Sequence, residues 1–350
     1  MSAEPRRAYH RPLDVKRGRI ELAHGAGGRA TAQLVEELFV EAFDNEWLRA
    51  LNDAASLPPP AGRLIMATDS HVVSPLFFPG GDIGALSVHG TINDVAMAGG
   101  TPLYLAAGFV LEEGFPLAEL KRIVVSMAAA AKAAGVPVVT GDTKVVEQGK
   151  GDGVYITTTG VGVVPPGICL DGAAARAGDV IFVSGTIGDH GVAIMSKREN
   201  LEFETEILSD SAPLHRLVAA LLAACPRVRV LRDPTRGGLA TTLNEIASQS
   251  RVGMLLDERS IPIAPAVAAA CEFLGLDPLY VANEGKLIAI APAEDADSVL
   301  AALRAHPQGR DAALIGRVTR DPDHFVQMQT GLGGRRVVDW MTGDQLPRIC

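Results

Sequence analysis

Cysteines, aromatic residues and long apolar runs are all scarce in this chain of 350 residues. The four cysteines, Cys169, Cys225, Cys271 and Cys350, lie far apart and form no Cys-x-x-Cys pair. That excludes the usual zinc spacings and fits reduced thiols in the cytoplasm. Three of them have apolar neighbours and read as small buried hydrophobes, while the fourth is the last residue. Phe, Trp and Tyr supply only 5% of the chain, and no apolar run approaches the roughly eighteen residues of a membrane span. An excess of basic charge is also lacking. The formal net charge of −9 argues against nucleic acid or an anionic membrane as the main partner. The N-terminal stretch holds Arg6, Arg7, Arg11, Lys16 and Arg17 without the apolar segment of a signal peptide, so residues 1–18 read as a loose arm. Neither a Walker A pattern nor a strand–GxGxxG–helix unit occurs, so any nucleotide site is of another kind. What remains is ordinary for a soluble globular protein: 47% apolar, 21% charged, and long enough for two domains with their own cores.

The chemistry concentrates between Met66 and Pro102. Leu64, Ile65 and Met66 read as a strand ending at Thr68-Asp69-Ser70, Pro79-Gly80-Gly81-Asp82 as a loop, and Ile83 to Ala98 as an apolar helix carrying Asn93 and Asp94. Asp69, Asp82 and Asp94 thus arrive from a strand end, a loop and a helix. Mg²⁺ is usually held by one or two carboxylates plus substrate phosphates. Asp69 and Asp82 equally suit a turn and a helix cap. Asp94 does not, because an unpaired buried carboxylate is costly, and a metal–phosphate site accounts for it better.

Around that stretch the chain alternates strands and helices, giving an α/β or α+β first domain. His24-Gly25-Ala26-Gly27-Gly28 precedes a helix from about Arg29 to Phe43 with Leu34, Val35, Leu38, Phe39 and Phe43 on one face; such a loop can offer backbone N–H groups to an anion. Strands are expected at Leu103–Leu111, Val136–Val139 and Val154–Val164, and a helix at Leu117–Ala134. Asp142 and Lys144 follow a Gly at a strand end, either a solvated turn or further phosphate contacts. Pro165-Pro166-Gly167 opens a linker, after which Val180–Val183 begins a second domain. His190, in a second Gly-rich loop, reads as a capping or packing residue. Asp233 and Arg236 flank paired glycines at a helix start, where backbone can approach a ligand. Glu284, by spacing alone, reads as a surface carboxylate.

The segments HGAGG, TDSHV, PLFFPGG, NDVAMAGG, GDTKVV, SGTIGDHG, DPTRGGL, NEGKL and the terminal PRIC together resemble the HypE family of carbamoyl dehydratases, which act in hydrogenase maturation. The resemblance runs from Ile20 to Cys350, and the PRIC end sets this family apart from its aminoimidazole ribotide synthetase-like relatives. Ala26 departs from the pattern, standing where many relatives have Ser. The resemblance implies an α+β fold of two α/β domains, residues 19–165 binding ATP and forming a dimeric β-barrel and residues 166–330 an α/β sandwich. Residues 331–350 would be a mobile tail. It implies that Cys350 receives a carbamoyl group from the carbamoyltransferase HypF and converts it to a thiocyanate for a HypC–HypD acceptor. Glu284 is then the proton acceptor and Lys144 its electrostatic partner. Asp69, Asp94 and Asp142 become ligands of Mg²⁺ and ATP, with His24, Gly25, Gly27, Asn93, Asp233 and Arg236 as further nucleotide contacts. Ten extended residues reach about 30 Å, enough for one thiol to visit donor, site and acceptor in turn. Two other readings compete: a sister ATP-dependent synthetase acting on a small carbonyl, which would not need Cys350, and a non-enzymatic maturation carrier using Cys350 as a metal ligand.

Overall fold

A computed structural model describes residues 12–201, 206–343 and 348–350; most of the expected N-terminal arm and Pro347 of the terminal motif lie outside these. The helix expected over 29–43 is present with a π-helical middle: α1 (Arg29–Leu34), Val35–Val40, then α2 (Glu41–Phe43). It buries Leu34, Leu38 and Phe39 as its periodicity implies. A short α3 (Glu46–Arg49) follows. The first domain then runs β1 (Arg63–His71), a small hairpin of β2 (Phe77–Phe78) and β3 (Gly81–Asp82), α4 (Ile83–Met97), β4 (Thr101–Glu112), α5 (Leu117–Ala134), β5 (Val138–Val146) and β6 (Val154–Val164). Asp82 caps α4, its Oδ1 accepting from the amides of Gly84 and Ala85 at 2.8 and 3.0 Å, so the cap reading of that residue holds.

The sheet order is β1-β6-β4-β5. β1 and β5 are the edges of this open sheet, so among the described residues the expected barrel is not formed. α4 is buried nearly all round, against α5 on one side and β1 on the other. Gly84 and Gly90 permit this: a Cβ at Gly84 would stand 2.2 Å from the Ile123 carbonyl, and one at Gly90 would stand 2.9 Å from His71 Nε2.

The second domain comprises β7 (Asp179–Val183), α6 (Asp189–Arg198), α7 (His215–Ala224), β8 (Val230–Arg232), α8 (Gly238–Ser250), β9 (Gly253–Asp257), α9 (Pro265–Leu274), β10 (Ile288–Pro292), α10 (Ala296–Arg304), β11 (Ala313–Thr319), β12 (Val326–Gln329) and β13 (Arg335–Val337). Its seven strands are ordered β13-β12-β9-β11-β7-β10-β8. Alternate residues feed opposite faces, as the period of a strand requires: Ile181, Val183, Ile288 and Ile290 pack on one side, and Phe182, Ala289 and Ala291 on the other. The first domain's core continues through α6 and α9 and takes in Ile349. β13 falls inside the stretch expected to be a mobile tail. No helix among the described residues is long and apolar enough to cross a membrane.

Candidate active site

The end of β1, the last turn of α4, the loop after β8 and the loop before β10 converge on a cavity of about 810 Å³. Into it they deliver Asp69, Asp94, Asp233 with Arg236, and Glu284, and Cys350 closes one wall. Asp94, Asp233 and Glu284 all hold their protons more tightly than an ordinary carboxyl does. Burial first, then Asp233 and Asp69, push Asp94 up to about 7. Burial likewise lifts Asp233 to about 6, with Asp69 adding to it. Glu284 is not a surface group: it is 4% exposed, and its Oε1 has no hydrogen-bond partner among the described residues. Burial, then Asp233 and Asp210, hold its carboxyl well above the ordinary range.

The backbone of Glu284 is fixed by neighbours that the motifs did not flag. Asp210 Oδ1 accepts from the Glu284 amide at 3.0 Å, and Lys286 Nζ donates to Asp210 Oδ2 at 3.0 Å. Gly285 is required here, because a Cβ would lie 1.7 Å from the Asp210 carbonyl. Asn93, expected on the nucleotide, instead donates its amide to the carbonyls of Ala212 and Glu284 at 3.0 and 3.3 Å. Its Oδ1 accepts from the Leu214 amide at 2.7 Å. It is a strut between α4 and the loops around the acid. Of the paired glycines before α8, Gly238 comes close to the carbonyls of Leu279 and Val281, at 2.6 Å for a Cβ, so its approach is to backbone and not to a ligand.

The C-terminus is seated in this cavity. The amides of Val72 and Ser74 donate to the carbonyls of Cys350 and Arg348 at 3.0 and 3.1 Å, an antiparallel register, and Ile349 is buried. Arg198 Nη2 donates to the Arg348 carbonyl at 2.9 Å, and Arg348 pairs with Asp152 at 3.0 Å. Burial and then Glu284 push the Cys350 thiol up to about 12, opposed by a hydrogen bond from Arg236. Arg236 also stands 3.9 Å from Asp69. His71 Nε2 lies 3.3 Å from Asp69 on the other side.

The remaining expected residues lie elsewhere in the single chain. Asp142 is opposite Gly108, Thr157 and Ser70 across the sheet, roughly 14 Å from β1 at three strand spacings. It belongs to the outer face, whereas Asp69 belongs to the row facing α4. Lys144 Nζ binds both oxygens of Asp142, at 2.8 and 2.6 Å, and both side chains are largely exposed. Lys144 therefore does not meet Glu284 within one chain. His24 is buried, its Nδ1 accepting from the Glu21 amide at 2.9 Å, and Gly25 packs on Val145 of β5. A Cβ at Gly27 or Gly28 would meet nothing, leaving that backbone open.

Comparison with known proteins decides the family. The model for the AIR synthase related protein, N-terminal domain, matches residues 51–164, and that for the C-terminal domain matches residues 176–329. The carbamoyl dehydratase HypE of Cupriavidus necator is 73% identical over 351 residues, covering 100% of both chains. This chain belongs to the HypE family of carbamoyl dehydratases. The HypE of Escherichia coli is 48% identical, over 95% of this chain and 99% of its own. A HypE solved in complex with ATP superposes with a TM-score of 0.91 at 51% identity, over 94% of this chain and 99% of that one. A HypE–HypF complex gives 0.78 at 49% identity, over 88% and 99%. Membership of the HypE family agrees with the two-domain α and β architecture.

Proposed function

We propose that this chain uses ATP to dehydrate a carbamoyl group carried on Cys350 to a thiocyanate, supplying cyanide for the iron of [NiFe]-hydrogenase. The observation that carries this reading is the C-terminal thiol seated beside buried Glu284 in the wall of the acidic cavity. Support comes from the relatives solved with ATP and with HypF.

An amide oxygen is a poor leaving group. Taking the γ-phosphoryl group of ATP onto it, with release of ADP, makes a good one. The nitrogen then gives up two protons, one to a base and one to the departing phosphate, while the C–O bond breaks, so S–C(=O)–NH₂ becomes S–C≡N. Glu284 is placed to accept a proton from that nitrogen. Its raised affinity for protons makes it a strong base once ionised, and part of that affinity comes from Asp233, Asp69 and Asp94. A cation neutralising those acids would remove their share of that affinity and favour the ionised form. Asp69, Asp94 and Asp233 offer the hard oxygen donors that Mg²⁺ prefers, and their mutual repulsion is what Mg²⁺ would relieve. Among the described residues no group of three or more His, Cys, Asp or Glu is gathered tightly enough to hold a metal, so the substrate's phosphates would complete the set. Mg²⁺ would offset phosphate charge.

Arg236 orients the sulfur. Docked, the thiol stays protonated and is a weak nucleophile, so carbamoyl transfer from HypF belongs to an undocked tail and dehydration to a docked one. The HypC–HypD complex is the acceptor, and the chain works in the cytoplasm. Lys144, Asp142 and the Gly27–Gly28 backbone enter the site from a second copy, in a homodimer whose paired sheets close the barrel. The exposed Leu64 and Met66 of edge strand β1 support such pairing. The test is Cys350→Ala: nucleotide binding and dimerisation persist, and tail modification vanishes. Single replacements of Cys169, Cys225 or Cys271 leave it intact. Thiocyanate formation by Cys350→Ala would remove the mechanism.

A further inference from the structure

The carbonyls of Arg348, Ile349 and Cys350 are all bonded, but by different means. Those at 348 and 350 take amides from the 72–74 segment, as an added strand would. The Ile349 carbonyl points the other way, onto His190 Nε2 at 2.7 Å. His190 lies in the first turn of α6, is wholly buried, and stands edge-on to Phe78 at 5.6 Å between ring centroids. Its other nitrogen, Nδ1, is 2.8 Å from Ser209 Oγ.

The tautomer follows from the partners. A carbonyl oxygen only accepts, so Nε2 carries the proton and Nδ1 accepts from the Ser209 hydroxyl. Ser209 Oγ in turn accepts from the Ser211 amide at 3.1 Å. The next residue along, Asp210, is the one that holds the Glu284 amide. One loop thus braces both the residue before the thiol and the proton acceptor.

We propose that His190 is a positioning residue for the reaction, donating Nε2–H to the Ile349 carbonyl and so fixing Cys350 against the cavity, with Ser209 setting the tautomer. This rests on the reading that Cys350 carries the reacting group. It adds that the depth and register of the docked cysteine are set by a side chain on α6 and not by the 72–74 edge alone.

The test is iodoacetamide labelling of the full-length chain, read peptide by peptide as the ratio of Cys350 to exposed Cys169. It needs neither ATP nor a carbamoyl donor, so it succeeds or fails independently of the dehydration reading. Removing one neutral hydrogen bond shifts a docking equilibrium by about threefold to tenfold, and His190→Ala should raise the ratio by that factor. His190→Gln, whose amide can donate to the same carbonyl, should bring it back towards wild type. Ser209→Ala should raise it less, and serves if His190→Ala does not fold. On carbamoylated protein, His190→Ala should slow single-turnover thiocyanate formation with the KM for ATP unchanged. An unchanged labelling ratio in either alanine variant overturns the proposal. So does a glutamine variant as labile as the alanine one, which would place the effect in packing against Phe78.

Discussion

Glu284 and Asp94 are acids whose folded environment favours the proton, and each makes a prediction with a definite sign. A carboxyl with a raised folded pKa contributes stability that is fully present below its unfolded value, near 4, and is lost as pH rises through the folded one. For Asp94 that window runs from about 4 to about 7. Asp94→Asn should therefore be neutral at pH 4 and gain a few kcal/mol at pH 8, up to about 4 from a window of about three pH units, while ATP turnover falls sharply. Paired melts and ATPase assays decide it. Normal turnover with bound Mg²⁺ would make Asp94 purely structural. Glu284→Gln keeps the shape and removes the base. Carbamoylated Cys350 should accumulate with ATP still bound, and the melting temperature at pH 8 should not fall. Thiocyanate at the wild-type rate in that variant would show that another group takes the proton.

Among the elements, the loops before β10 and after α6 matter more to the site than their lack of regular structure suggests. Gly285 lets the two cross at van der Waals contact. Gly285→Ala should destabilise the chain by about 1–3 kcal/mol or more and stop dehydration, since Glu284 moves with the backbone; circular-dichroism melts and a turnover assay check both. A stable, active variant would mean that the crossing is soft. Strands and helices with clear periodicity were legible in the sequence: the ends of α5 and β6 fall where the pattern puts them. Asp69 and Asp94 were legible as one acidic set, whereas Asp233 and Arg236 were legible only as neighbours of paired glycines and joined the site through the family resemblance. Glu284 was misplaced by spacing alone, since nothing local announces that a loop will be buried under another. Asp210 and His190 were missed for the same reason: their roles depend on contacts 74 and 159 residues away in sequence. Asn93 was legible as a polar residue in an apolar helix, but its partners were not.

For the whole molecule, the proposed entry of Asp142 and Lys144 from a second copy starts from their separation from Glu284 within one chain. They sit on the outer face of an open sheet, and Asp69 and Glu284 sit behind it. A symmetric dimer can bring one chain's outer face to the other's cavity. Chains carrying Lys144→Ala and chains carrying Cys350→Ala should each be inactive alone. Co-expressed, they should recover about one quarter of wild-type dehydration, because half of the dimers are mixed and each has one intact site. No recovery, with mixed dimers shown by native mass spectrometry, would place Lys144 in its own chain's chemistry or outside the reaction.

The most direct measurement is the mass of the C-terminal peptide of the wild-type chain after incubation with HypF, a carbamoyl donor and ATP. A carbamoyl adduct confined to Cys350 is expected, becoming lighter by one water only when ATP is hydrolysed. A non-hydrolysable analogue should leave the adduct intact. Loss of water without ATP, or an adduct on any other residue, would contradict it.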